Sequence, residues 1–144
     1  MVNVANTANP AEAVPTAGGL RRILFVEDDP DIQKVAKLAL EAIGGFSVLT
    51  CDSGARALAA VTGFVPDLIL LDVMMPGMDG PATLKALRQV PGAETIPAVF
   101  MTARVQPTEI AGYRALGAVD VIAKPFDPMR LADTVREIWS ALPR

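Results

Sequence analysis

The chain of 144 residues contains no histidine and only one cysteine. Without histidine there can be no Ser-His-Asp triad, no Cys-His pair and no imidazole-ligated zinc. A single cysteine permits no internal disulfide; Cys51 closes a strand-like segment and reads as a small core residue rather than a reactive thiol. Nowhere do about 18 apolar residues run together, so no segment has the pattern of a membrane-spanning helix. Basic clusters are also lacking. Apart from the doublet Arg21-Arg22, Lys and Arg stand singly, and the net charge is −3 with a pI near 4.9. That balance argues against a nucleic-acid surface, and the doublet reads as a solvated pair at a domain edge. The first 20 residues hold neither Lys nor Arg and no apolar core segment, so no secretory signal is expected and the cytoplasm is the expected location.

Against these absences stands a chain that is 51% hydrophobic and 20% charged, enough apolar material for the core of one domain. Residues 1–20, rich in Ala, Asn, Thr, Pro and Gly, read as a flexible tail whose removal should leave the unfolding midpoint within about 2 °C. From 21 to 142 strand and helix patterns alternate. Strands are expected at 22–26, 46–51, 67–71, 98–101 and 119–122. Helix starts are marked by Asp29-Pro30, Ser53, Gly80-Pro81, Pro107 and Asp127-Pro128, and stops by Gly44-Gly45 and Gly117. The last helix carries Leu131, Val135, Ile138 and Trp139 on one face. Five strands alternating with five helices over short connections predict a doubly wound, five-stranded parallel sheet covered on both faces, the flavodoxin-like arrangement.

Chemistry gathers at the strand ends. Asp72 follows the apolar run Leu68-Ile69-Leu70-Leu71, and Glu27-Asp28-Asp29 follows Ile23-Leu24-Phe25-Val26. Thr102 follows Ala98-Val99-Phe100-Met101, and Lys124 follows Val121-Ile122-Ala123. In a parallel sheet these ends face one crevice. Three carboxylates brought together repel unless a cation neutralises them, and an all-oxygen donor set favours a hard ion such as Mg²⁺. Thr102 can donate a hydrogen bond to a phosphoryl oxygen, and Lys124 adds a compact positive charge. Taken singly, each has a plainer reading: the acidic triplet as a helix cap, Thr102 as a turn or cap residue, Lys124-Pro125 as a turn. Their joint arrival at separate strand ends favours capture of a phosphoryl group on an aspartate.

These residues resemble the receiver domain of two-component response regulators over about residues 21–142. The likeness rests on Glu27-Asp28, on Asp72 within Leu70-Leu71-Asp72-Val73-Met74-Met75-Pro76-Gly77-Met78-Asp79-Gly80, on Thr102-Ala103 and on Lys124-Pro125-Phe126, in that order and at similar spacing. The resemblance implies that Asp72 is the phosphoacceptor. It also implies that Asp28 and Asp72 bind Mg²⁺ through their side chains, Met74 through its backbone carbonyl, and Glu27 mainly through water. Thr102 and Lys124 would sense and hold the phosphoryl group, and the Lys124-Pro125 peptide would be cis. The donor would be a sensor histidine kinase or a histidine phosphotransfer protein, necessarily another molecule since this chain has no histidine. Signalling would run through a downstream protein target, with the helix at 107–116 and its flanking strands as the output surface by analogy. Neither nucleic acid nor membrane would be contacted.

The same resemblance implies a signalling protein rather than an enzyme, with at most self-catalysed phosphotransfer and slow autodephosphorylation. Little chain follows the fifth helix, so a stand-alone regulator without an output domain is expected. One residue departs from the family: Val121 stands three positions before the lysine, where an aromatic switch residue is common. Two other readings are set beside this one. A binding module that signals without phosphorylation is opposed by the full set of site residues but favoured by Val121. A hydrolase of the haloacid dehalogenase type would need a second aspartate two positions after its nucleophile, where this chain has Met74.

Overall fold

The computed structural model describes residues 19–143. Its strands are β1 (Arg22–Val26), β2 (Ser47–Cys51), β3 (Leu68–Asp72), β4 (Ala98–Thr102) and β5 (Asp120–Ala123). The helices are α1 (Pro30–Leu38, continued by a wider π-helical turn over Ala39–Ile43), α2 (Gly54–Phe64), α3 (Gly80–Leu87), α4 (Pro107–Ala115) and α5 (Leu131–Ser140). All neighbouring strands pair in parallel, in the order β2-β1-β3-β4-β5. This is the expected five-stranded doubly wound sheet, with its topological switch between β1 and β3.

Both faces of the sheet are covered, which is why β3 and β4 are apolar at nearly every position and buried throughout. Alternation along the strands sorts the core into two halves. Ile23, Phe25, Leu68, Leu70, Val99 and Met101 face Ala36 and Leu40 of α1 and Leu131, Val135 and Ile138 of α5. On the other face Leu24, Val26, Ile69, Leu71 and Phe100 meet Ala57 and Val61 of α2 and Leu84 and Leu87 of α3. Cys51 is buried in this second half, as read from the sequence.

The helix starts follow from local capping. Asp29 accepts from the N–H groups of Asp31 and Ile32 at 2.8 and 3.3 Å, with Pro30 in the first turn where its missing N–H costs nothing. Ser53 and Asp79 cap α2 and α3 by accepting from Arg56 and Ala82. At the end of α1 the Gly44 N–H bonds to the Ala39 carbonyl, and a Cβ on Gly44 would lie 2.6 Å from the Leu40 carbonyl oxygen. Only glycine fits there.

Four expectations need correction. Strand ends run one residue further than the apolar runs, because Asp72 still pairs with Met101 and Thr102 with Ala123. α5 begins at Leu131 rather than at Asp127-Pro128: Asp127 accepts from Met129 N–H at 2.9 Å and the Arg130 N–H bonds its carbonyl, making a separate turn. Arg22 is not simply solvated. Its Nε donates to the Phe64 carbonyl at 2.8 Å and its guanidinium stacks 4.2 Å from the Phe64 ring centroid. The fourth concerns the tail. Residues 1–18 lie outside the described residues, but Leu20 is 1% exposed and belongs to the first core half.

A leucine buried to that degree gives a direct expectation. Leu20→Ala should lower stability by about 2–3 kcal/mol, within the range for leucine truncation in a core, with an unchanged denaturant slope. Urea unfolding measures this; a loss under about 0.5 kcal/mol, as for a surface position, would show that Leu20 does not pack in the core.

Candidate phosphoryl-acceptor site

The five strand-end residues reach the site from four strands. Glu27 and Asp28 follow β1, Asp72 and Thr102 are the last residues of β3 and β4, and Lys124 follows β5 directly. Suitable oxygens of Glu27, Asp28 and Asp72 all lie within 4.8 Å of one another. Lys124 Nζ sits 3.0 Å from both Glu27 Oε1 and Asp72 Oδ1. Glu27, Asp72 and Thr102 are 1%, 2% and 2% exposed, whereas Asp28 is open to solvent. The site is thus a buried floor with one exposed wall.

Backbone anchors hold Glu27 and Lys124 in place. The Glu27 N–H bonds the Cys51 carbonyl at 2.9 Å, its own carbonyl accepts from Gln33 Nε2, and its Oε2 accepts from the Asp29 N–H at 3.1 Å. The Lys124 N–H bonds the Thr102 carbonyl at 2.9 Å, which couples the β4 and β5 ends. The Lys124-Pro125 peptide is cis. Met74 lies in the loop after β3 and is 71% exposed.

The sequence did not reveal two supports. Gly80, read only as a helix opener, packs its backbone on β3: a Cβ there would lie 2.6 Å from the Asp72 carbonyl oxygen, and its N–H bonds the Val73 carbonyl at 2.9 Å. An isolated glycine beside an acidic strand end is the available signal for such close approach. Gln33 has no comparable signal, since its contact with the Glu27 carbonyl depends on how α1 lies against the sheet.

Electrostatics follow from this burial. Burial pushes the Glu27 carboxyl up from its usual range; hydrogen bonds from Lys124 and the Asp29 N–H oppose the shift, and the charge of Asp72 adds to it. For Lys124 burial pulls downward, but the hydrogen bonds to Glu27 and Asp72 outweigh it and the ammonium titrates above its ordinary value. Three carboxylates face one ammonium, so the pocket keeps an excess of negative charge. Its all-oxygen donor set fits a small divalent cation such as Mg²⁺.

The sequence matches the family described as response regulator receiver domain over residues 23–136. The chain belongs to the response regulator receiver family. Among curated proteins, this receiver is 37% identical over 116 residues to the DNA-binding response regulator MtrA of Mycolicibacterium smegmatis, covering 81% of this chain and 49% of that protein. It is 36% identical over 116 residues to the transcriptional regulatory protein CseB of Streptomyces avermitilis, covering 81% and 48%. The chain therefore spans about half the length of the curated relatives it matches. Among solved structures, the chemotaxis response regulator CheY4 of Vibrio cholerae superposes with a TM-score of 0.76 at 29% identity, covering 83% of this chain and 98% of that one. The receiver domain of a signal transduction histidine kinase from Syntrophus aciditrophicus gives 0.72 at 34% identity, covering 86% and 93%. Among the described residues no helix is long and apolar enough to cross a membrane.

The lysine bridge makes the receiver's stability depend on pH in a definite direction once it is cut. Lys124→Met leaves Glu27 buried beside Asp72 without its cation, which raises the Glu27 pKa further. A folded-state pKa above the unfolded one stabilises at low pH and is lost as pH rises through it. The metal-free mutant should therefore lose about 2 kcal/mol at neutral pH, less than a fully buried broken pair because Lys124 keeps some solvent contact. The loss should shrink toward pH 5. Urea unfolding at both pH values checks this, and an equal loss at each would contradict it.

Proposed function

We propose that the receiver accepts a phosphoryl group on Asp72 from a phosphohistidine on another protein, in the cytoplasm, and signals by binding a partner. The observation that carries the reading is the Lys124 ammonium 3.0 Å from a strand-end aspartate that is 2% exposed, inside a cluster of three carboxylates. Lys124 holds Asp72 Oδ1, so attack on phosphorus is assigned to Oδ2. The new O–P bond forms as the P–N bond to the donor imidazole breaks, and that nitrogen keeps the bonding electrons. Asp28 and Asp72 would bind Mg²⁺ through their carboxylates, Met74 through its backbone carbonyl and Glu27 through water. The ion would supply charge neutralisation for the phosphoryl oxygens.

Lys124 is placed to follow the negative charge as it shifts from the carboxylate onto the phosphoryl oxygens. Thr102 Oγ1, buried beside it, would donate to one of those oxygens. Donors of the proposed class are sensor histidine kinases and histidine phosphotransfer proteins, since no histidine stands in these 144 residues to serve as donor. The named curated relatives are DNA-binding or transcriptional regulators about twice as long. For this receiver we assign signalling to a protein partner, without direct nucleic-acid contact by the receiver itself, consistent with a net charge of −3 and no basic cluster. Its chemistry is self-phosphorylation and slow autodephosphorylation rather than turnover of a free substrate.

Intact-mass measurement after treatment with acetyl phosphate tests the assignment. Wild type should gain one phosphoryl group with Mg²⁺ and none after chelation, and Asp72→Asn should gain none. Equal labelling of both proteins would place the phosphoryl group elsewhere.

A further inference from the structure

The segment between β4 and α4 carries a set of contacts that phosphoryl capture alone does not use. The Arg104 N–H donates to Thr102 Oγ1 at 3.1 Å. With an N–Cα bond of about 1.46 Å, the Arg104 Cα lies within about 4.6 Å of that hydroxyl, well inside the reach of an arginine side chain. The guanidinium nevertheless points away, toward α4. Its Nη1 is 3.6 Å from Glu109 Oε2, and the arginine side chain is 70% exposed. The other Glu109 oxygen accepts from the Gln106 N–H at 3.2 Å, so one carboxylate both caps the first turn of α4 and neutralises Arg104.

α4 has few other attachments. None of its residues is buried, and its contact with the sheet core includes Tyr113, whose ring meets Phe100 edge-on at 5.4 Å. The Arg104–Glu109 pair is longer than a charge-assisted hydrogen bond and largely solvated, so little holds the guanidinium in place. A phosphoryl group on Asp72 would offer several charged oxygens beside Thr102, in a buried setting where a planar guanidinium can bind two at once. If Thr102 turns its hydroxyl toward them, the Arg104 N–H loses its acceptor at the same moment.

Resting on the phosphoacceptor reading, we propose that Arg104 is a further phosphoryl-binding residue, shared between Glu109 in the resting state and the phosphoryl oxygens afterwards. Its transfer draws residues 103–106 toward the site and loosens the first turn of α4. This couples the phosphoryl group to a helix surface in a chain whose β5 carries Val121 and so has no aromatic ring there to move.

Hydrogen exchange at the Glu109 and Ile110 amides, which bond the Gln106 carbonyl at 2.9 and 3.0 Å, tests the proposal. Protein is held with acetyl phosphate and Mg²⁺, and variants are compared at equal labelled fraction by intact mass. In labelled wild type both amides should exchange about threefold faster or more, the scale of losing a weak ion pair and part of a cap. Labelled Arg104→Gln should show no such acceleration, and unlabelled Glu109→Gln should already exchange faster than unlabelled wild type. Labelling of wild type without acceleration, or equal acceleration in Arg104→Gln, overturns the role of Arg104 while leaving Asp72 as acceptor. Failure of wild type to label overturns both.

Discussion

The ammonium of Lys124, 3.0 Å from Glu27 and from Asp72, is the interaction around which the sheet edge is arranged. Two nearly inaccessible carboxylates side by side would be strongly unfavourable in a medium of low dielectric; one cation between them makes the pair tolerable. The lysine, the glutamate and the aspartate come from three different strands, so the bridge forms only when β1, β3 and β5 are all in register. Fold and charge balance therefore depend on each other. The remaining negative charge, extended by exposed Asp28, is what suits the pocket to a divalent cation and a phosphoryl group.

Much of this was legible in the chain because its cues are local. Apolar runs that end in Asp72, Thr102 and the Glu27-Asp28 pair mark strand tips, and a parallel sheet brings such tips together. Asp29-Pro30 and Ser53 announced real helix starts by capping chemistry. The cues stopped one residue short at β3 and β4, since a polar side chain ends the apolar pattern while the backbone pairing continues through it.

What was not legible depends on contacts distant in sequence. Leu20 follows a Gly-rich stretch with no periodic neighbours, and only the packing of the first core half shows it to be buried. Asp127-Pro128 carries a helix-start signature but closes an isolated turn instead. Arg22 finds Phe64 at the end of α2, and Gln33 finds the Glu27 carbonyl, through the tertiary fold alone. Gly80 is needed because α3 starts against the backbone of Asp72, a closeness to which the glycine itself is the one cue along the chain. Likeness to the receiver family covers the fold and residues 23–136; the Arg104–Glu109 pair before α4 emerges only from the geometry of this chain.

With Lys124 offsetting only part of the carboxylate charge, the strand ends should form one divalent-cation site. Titration calorimetry with Mg²⁺ on the phosphate-free protein tests it most directly. One saturable site per chain is expected, with affinity reduced at least about tenfold in Asp28→Asn, about 1.4 kcal/mol or more. Absence of saturable binding, or equal affinity in Asp28→Asn, would contradict it.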